Sequence, residues 1–265
     1  MGEVPRATTF HKPAEAYDRL VGRYSHELAR TLIDAARVQP GARALDVGCG
    51  PGALTSELAA VLGAAQVAAV DPSPPFVDAC RQRLPGVHVQ VASAEALPFE
   101  DAAFDHTLSQ LVVNFMTDAP TGVSEMRRVT RPGGTVTAAV WDYAGEMTLL
   151  RAFWDAAVAL DASAEQRDEG RCMAFCSPEE LGDLWSSAGL AEVGVSAVVV
   201  SAGYDGFEDL WAPLELGVAP SGAYAASLTP ERRAALKEEL RRRLGVGDQP
   251  FRLPARAWCA TGRVR

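Results

Sequence analysis

Residues 42–52 constrain this chain more than any other stretch, reading Ala42-Arg43-Ala44-Leu45-Asp46-Val47-Gly48-Cys49-Gly50-Pro51-Gly52. A short apolar run (Ala42, Ala44, Leu45, Val47) has the length of a buried strand and breaks into glycines at 48, 50 and 52. A helical pattern follows at once through Leu54, Leu58, Ala59 and Leu62. Strand, glycine turn and helix in this order let backbone come close to a ligand, because glycine has no Cβ and tolerates positive φ. The helix start then offers free N–H groups to an electronegative part of that ligand. A second strand over 66–70 ends in Asp71, 23 residues after Gly48. An acid at the tip of the neighbouring strand is placed to take both hydroxyls of a ribose. The competing reading is a strand-turn-helix that binds nothing.

Composition narrows the classes. At 265 residues, of which 48% are apolar, the chain can bury a sizeable core. No stretch approaches the ~18 uninterrupted apolar residues of a membrane span. Met1–Phe10 is polar, with Pro5 and Arg6, and does not read as a signal peptide. Arg6 also stands where N-myristoylation wants serine or threonine. A formal charge of −9 argues against nucleic acid as a partner, since phosphate binding needs a basic face. The basic run Arg241–Arg243 reads as a solvated helix face, because Glu238 and Glu239 precede Arg242 and Arg243 at helix-pair spacing. The cysteines at 49, 80, 172, 176 and 259 are odd in number, which suits reduced thiols in a cytoplasmic protein. Cys172 and Cys176 are four apart with no histidine near them, so no metal site is expected.

Taken in order, residues 11–37 read as a helix with Tyr17, Leu20, Val21, Tyr24, Leu28, Leu32 and Ala35 along one stripe. Ser73-Pro74 supplies an N-cap and a first-turn proline for a helix reaching Leu84. Residues 87–91 suit a buried parallel strand. Strand four, 104–109, delivers Ser109, Gln110 and Leu111 to the carboxyl edge of the sheet, where ligands bind in open α/β sheets. His106 within that strand reads as a packed histidine, and Asn114 beyond it is a possible substrate contact. A helix through Glu125, Met126 and Val129 leads by a turn at 131–134 into strand five, 135–141. Later come helices over 149–160, from Ser177 to Gly189, from Asp205 to about Gly217 and from Thr229 to Gly245, with strands over 193–201 and 255–264. Residues 217–222 read as the best loop or hinge.

Four phrases in order carry a resemblance. The loop at 46–52, acid-x-Gly-x-Gly-x-Gly, resembles the first motif of the class I S-adenosylmethionine (SAM) methyltransferases, and the acid at Asp71 follows as it does there. Ser93-Ala94-Glu95-Ala96-Leu97-Pro98-Phe99 before Phe104-Asp105 is similar to the family's acid-Ala-Glu-x-Leu-Pro-Phe phrase, with serine standing where aspartate is common. Glu125-Met126-Arg127-Arg128-Val129 followed by Arg131-Pro132-Gly133-Gly134 resembles a further phrase. The resemblance implies an α/β fold: a doubly wound, mostly parallel seven-stranded sheet with an antiparallel last strand (Rossmann-like). It also implies an N-terminal helical cover over 1–40, a SAM-binding core over 41–142, and cap insertions with the last two strands over 143–265, all in one methyltransferase domain.

The site residues follow from the same resemblance. Gly48, Cys49, Gly50 and Gly52 should pass against the methionine and sugar, and Asp71 should take the ribose hydroxyls. Pro72 and Ser73 should flank the adenine, with Ser93, Ala94 and Glu95 at its edge. Gln110 should border the reacting end, and Tyr17 or Arg23 should reach the methionine moiety, unless that helix merely covers the sheet. Tyr204, Phe207, Trp211, Tyr224 and Phe251 are either cap lining or core.

The expected chemistry is methyl transfer from SAM to a small-molecule acceptor by in-line displacement. SAM is already an activated electrophile, so alignment supplies most of what the protein must add, ~7–11 kcal/mol. Base candidates are His11, His26, Asp142, Tyr143 and Glu146, with none preferred, so the catalytic residue stays open. No Asn/Asp-Pro-Pro-Tyr/Phe sequence follows strand four and no Pro-Cys pair occurs, which sets aside two classes of nucleic-acid methylation. One alternative is a nicotinamide-dependent oxidoreductase, because Gly48-x-Gly50-x-x-Ala53 meets the loose dinucleotide pattern. The other is a non-catalytic SAM-binding partner protein. Oligomeric state is not readable.

Overall fold

The protein is described here by a computed structural model covering residues 19, 20 and 22–265. Its centre is a seven-stranded sheet. In chain order the strands are β1 (Ala44–Val47), β2 (Val67–Asp71), β3 (His88–Val91), β4 (Phe104–Gln110), β5 (Thr130–Trp141), β6 (Ala191–Tyr204) and β7 (Phe251–Arg263). They lie side by side as β3-β2-β1-β4-β5-β7-β6. The first five are parallel, while β7 runs antiparallel to β5 and to β6. The sheet is therefore mostly parallel with an antiparallel last strand, inserted between β5 and β6 and not added at the edge.

Every residue of β1 and β2 is buried. Such strands tolerate no polar face, which is why their sequence is a near-continuous apolar run. Helices cover both sides. On one face lie α1 (Ser25–Ala35), α2 (Ala53–Leu62), α5 (Thr148–Leu160), α8 (Phe207–Glu215), α9 (Ala219–Ser227) and α10 (Pro230–Leu244), whose Leu28, Leu58, Phe153, Trp211, Ala225 and Leu240 share one core. On the other lie α4 (Ala119–Val129) and α7 (Pro178–Ser187), which bury Val123, Met126 and Trp185 against Val136 and Val140. A smaller cluster, Cys49, Ala69, Val77, Cys80 and Val89, seats α3 (Pro74–Arg83) beside β2. The short α6 (Glu169–Cys172) precedes α7.

Several boundaries depart from the sequence expectation, each for a local reason. The expected first helix is not uniform: residues 19 and 20 are helical, and a 3-10 turn at Gly22–Tyr24 leads into α1; Tyr17 and His11 lie outside the described residues. β3 is the sheet's edge, so only Val89 of it is buried and Val91 is half exposed, where a fully buried strand was expected. β5 starts at Thr130, five residues early, because the 131–134 turn is absorbed as an irregularity in its pairing with β4. Residues 219–222, expected as loop, open α9, with Pro220 in the first turn where its missing N–H costs nothing. Ser73 occupies the N-cap of α3, yet its side chain caps nothing. Ser177 and Thr229 do cap, accepting from the N–H groups of Glu180 and Arg232.

Candidate functional site

The carboxyl ends of β1, β2 and β4 open onto a cleft enclosing about 800 Å³ of empty space, its solvent mouth included. Gly48, Cys49, Gly50 and Pro51 form one wall, Asp71, Pro72 and Phe76 a second, and Gln110, Leu111, Val112 and Phe115 a third. Asp46 and the start of α2 form the floor, and Ser25 of α1 closes one side.

The glycine turn is shaped by its neighbours. Gly48 has φ 78°, and a Cβ there would lie 2.4 Å from Val112 Cγ2, so only glycine lets β4's exit pass this close. The N–H groups of Gly48 and Cys49 both donate to the Val70 carbonyl, at 2.8 and 2.9 Å, which pins the turn to the tip of β2.

Asp71 ties that tip to the turn from the other side. Its Oδ2 accepts from the Gly50 N–H at 2.9 Å and its Oδ1 from the Ser73 N–H at 2.8 Å. Burial pushes its carboxyl up, against the pull of those two backbone donors. A carboxylate has about four acceptor positions, so about two remain for hydroxyls of a ligand.

Asp46 sits deeper, 1% exposed. Its Oδ2 accepts from Thr55 Oγ1 at 2.6 Å, while Oδ1 is buried without a hydrogen-bond partner among the described residues. Burial pushes this carboxyl up to about 7. Nothing in the sequence reading assigned Asp46 a role; the signal was its place as the acid that opens the glycine phrase. Gln110 lines the opposite wall, its Nε2 donating to the Ser25 carbonyl at 3.0 Å and its Oε1 buried without a partner among the described residues.

The remaining expected site residues are placed elsewhere. Ser93, Ala94 and Glu95 do not line this cleft: Ser93 bonds Glu95, Ala94 is in the core beneath, and Glu95 Oε1 accepts from the N–H groups of Thr117 and Asp118 at 2.8 and 3.1 Å. Gly52 begins α2 with φ 102°, above Cys80. Arg23 reaches across to β6 and α8, where its guanidinium meets Asp209 Oδ1 at 2.6 Å and lies over the Tyr204 ring. Asn114 is buried, its amide 3.8 Å from Met173 Sδ. His106 bonds Thr135 Oγ1 inside the sheet, and burial pulls its pKa down. Tyr204, Phe207, Trp211 and Tyr224 belong to the core, with Phe251 stacked on Tyr204.

Of the base candidates, His26 pairs with Glu57 at 3.0 Å. Asp142 and Glu146 share Arg256, each at 2.7 Å. Tyr143 is 4% exposed. None of these lines the cleft.

Charge sharpens what the cleft can hold. Among the described residues its only charged lining side chains are Asp46 and Asp71, with no lysine or arginine beside them. Two buried acids, one with an oxygen that no described residue satisfies, suit a ligand that is itself cationic. SAM, with an ammonium and a sulfonium, fits that requirement; a dinucleotide would bring a pyrophosphate against the same carboxylates. Asp71 would hold the ribose, Asp46 the ammonium end, and the Gly48–Gly50 backbone the chain between them.

Fold and cleft together define a nucleotide-binding α/β protein of Rossmann-like type. The family described as "Methyltransferase domain" matches residues 45–138. A malonyl-[acyl-carrier protein] O-methyltransferase of Halorhodospira halophila is 33% identical over 192 residues, which span 69% of this chain and 60% of that protein. The enzyme of the same name from Serratia marcescens is 35% identical over 130 residues, 49% of this chain and 50% of that one. The chain thus spans about half the length of the curated relatives it matches. Among solved structures, the YcgJ protein from Bacillus subtilis superposes with a TM-score of 0.59 at 19% identity, over 91% of this chain and 99% of that one. Residues 45–138 thus carry a methyltransferase domain, on a fold of the class I SAM-dependent type.

Proposed function

We propose that this protein transfers a methyl group from SAM to a small-molecule acceptor. The observation that carries the reading is the cleft's charge among the described residues: two buried carboxyl groups, one with a partnerless oxygen, and no basic side chain. SAM supplies a methyl group on a positively charged sulfur, already activated for displacement. The chain's own residues then have to hold and align. Asp71 fixes the sugar end, the Gly48–Gly50 turn admits the backbone approach, and Gln110, Leu111 and Val112 bound the side from which an acceptor arrives. Apolar walls at Leu111, Val112 and Phe115 keep water from that approach.

The acceptor suited to this site is one that needs no strong base. Asp142 and Glu146 are already paired with Arg256, His26 is hydrogen-bonded to Glu57, and no histidine among the described residues lines the cleft. A carboxylate or another group ionised in solution meets that condition. The two relatives named above carry names that specify O-methylation of a carrier-bound malonyl group, which agrees with an acidic acceptor. The cytoplasm, where thiols stay reduced, is the fitting location.

Calorimetry with SAM and with NAD tests the cofactor, and turnover on a panel of carboxylate, phenol and amine acceptors tests the rest. Tight NAD binding without SAM binding would overturn the reading. SAM binding with no turnover on any acceptor would leave a binding protein without activity.

A further inference from the structure

The outer edge of the sheet, β6, is built to pair. Ser201 faces Pro254 of β7, which has no N–H to give it. Ser201 instead donates its N–H to Glu27 Oε2 at 3.2 Å and accepts at its carbonyl from Arg252 Nη2 at 3.0 Å. Backbone groups alternate in direction along an antiparallel strand, so Val195, Ala197 and Val199 turn their N–H and C=O groups to the same outer side as Ser201. No partner for them exists among the described residues. From Val193 to Gly203 the strand contains neither a charge nor a proline, the usual guards of an exposed edge. Val199 is also 61% exposed, the highest value among the exposed large hydrophobic side chains of the described residues.

We propose that this edge binds a second copy of the same chain, β6 pairing antiparallel with β6 about a two-fold axis through Ala197. In that register Val195 stands opposite the second copy's Val199, and Ala197 opposite its own equivalent. All three open residues are used, and the ladder stops where Glu27 and Arg252 already occupy Ser201. Each exposed Val199 gains a cross-strand neighbour in Val195, which rests 3.7 Å from the Cβ position of Gly182 on α7. Charges agree as well. The two-fold brings the Glu192 end of one strand to the Ser201–Gly203 end of the other, and Arg252 lies beside Gly203 in the register. A two-fold contact of one patch with itself closes at two subunits. One strand ladder buries less than the ~1,200 Å² of a stable interface, so the dimer is reversible and concentration-dependent. The proposal is independent of which acceptor the cleft takes.

Sedimentation velocity on the full chain across a concentration series tests it. The unaltered protein should show a monomer–dimer equilibrium, and hydrogen exchange at Val195, Ala197 and Val199 should slow as dimer forms. Val199→Lys puts a charge opposite Val195, and Ala197→Pro removes one outward N–H. Each should weaken the dimer by about tenfold or more, ~1.4 kcal/mol, with melting temperature and SAM affinity unchanged. A protein that stays monomeric throughout, as it would if residues 1–18 or a different protein covered the edge, overturns the proposal. So does a dimer in which those three amides stay unprotected, or one that both variants leave intact.

Discussion

Asp71 serves two partners with one carboxylate: it ties the glycine turn to the tip of β2, and it faces the cleft. Removing it therefore removes a ligand contact and a loop anchor together. Hydrogen bonds to a charged group contribute ~1.5–3 kcal/mol each. For Asp71→Ala, calorimetry should show SAM binding weaker by about a hundredfold or more, ~2.7 kcal/mol. Unchanged affinity would sink the assignment of this cleft. Asp71→Asn keeps the shape and one carbonyl acceptor and should fall between the two. Asp46 was legible in the sequence only as the first acid of a phrase. Its unpartnered oxygen is a fact of packing, since nothing in residues 42–52 says that Thr55 would satisfy one oxygen and leave the other. The Arg23 contact with Asp209 was equally invisible, because the two stand 186 positions apart.

At the scale of elements, the turn between β1 and α2 depends on what β4 brings beside it. A methyl group at Gly48 would run into Val112 and would also hold an alanine at φ 78°. Positive φ costs a non-glycine residue ~1–2 kcal/mol, and the clash adds to that. Thermal denaturation should show Gly48→Ala strongly destabilised, with Val112→Ala in the same chain recovering part of the loss. Full recovery would mean that the backbone conformation costs nothing; no recovery would mean that Val112 is not the obstacle. The strand, turn and helix were readable in order from their residues, since the apolar run, the glycines and the 3.6-residue period are local signals. Two elements were not. β3 looks like a buried strand from its valines, but whether a strand is central or at an edge is decided by which strands flank it. α9 begins in Ala219-Pro220-Ser221-Gly222, a composition that favours a turn, and becomes helical because Tyr224 and Ala225 bury against the core.

Across the whole molecule, two buried acids make stability depend on pH. Burial raises Asp46 from 3.8 to about 7 and Glu169 from 4.5 to about 7, the latter accepting from the Trp154 indole N–H at 2.9 Å. Below the unfolded values both acids are protonated in either state, so they cost nothing. Between those values and about 7 the unfolded chain has released protons that the fold retains, so stability falls as pH rises, and the fall is complete above about 7. For Asp46 the loss is on the order of 4 kcal/mol. Melting temperatures from acid to neutral pH should show the decline, and Asp46→Asn should flatten part of it; an equal slope in both proteins would remove Asp46 from the account. A cationic ligand reverses the same shift. SAM binding at about pH 6 should release a proton that binding at about pH 8.5 does not, measured by calorimetry in buffers of different ionisation enthalpy.

Local order settled much of this protein in advance. Period, glycines and the acid at Asp71 specify the strand-turn-helix, the α/β class and the family, because each is written within a few residues of chain. Tertiary structure alone decided where charges meet: that Arg23 turns to Asp209 and away from the cleft lining, and that, among the described residues, Asp46 keeps an unsatisfied oxygen and β6 an open edge. Those outcomes depend on residues far apart in sequence arriving at one place, and the free energy of a buried or unpaired polar group exists only once they have arrived.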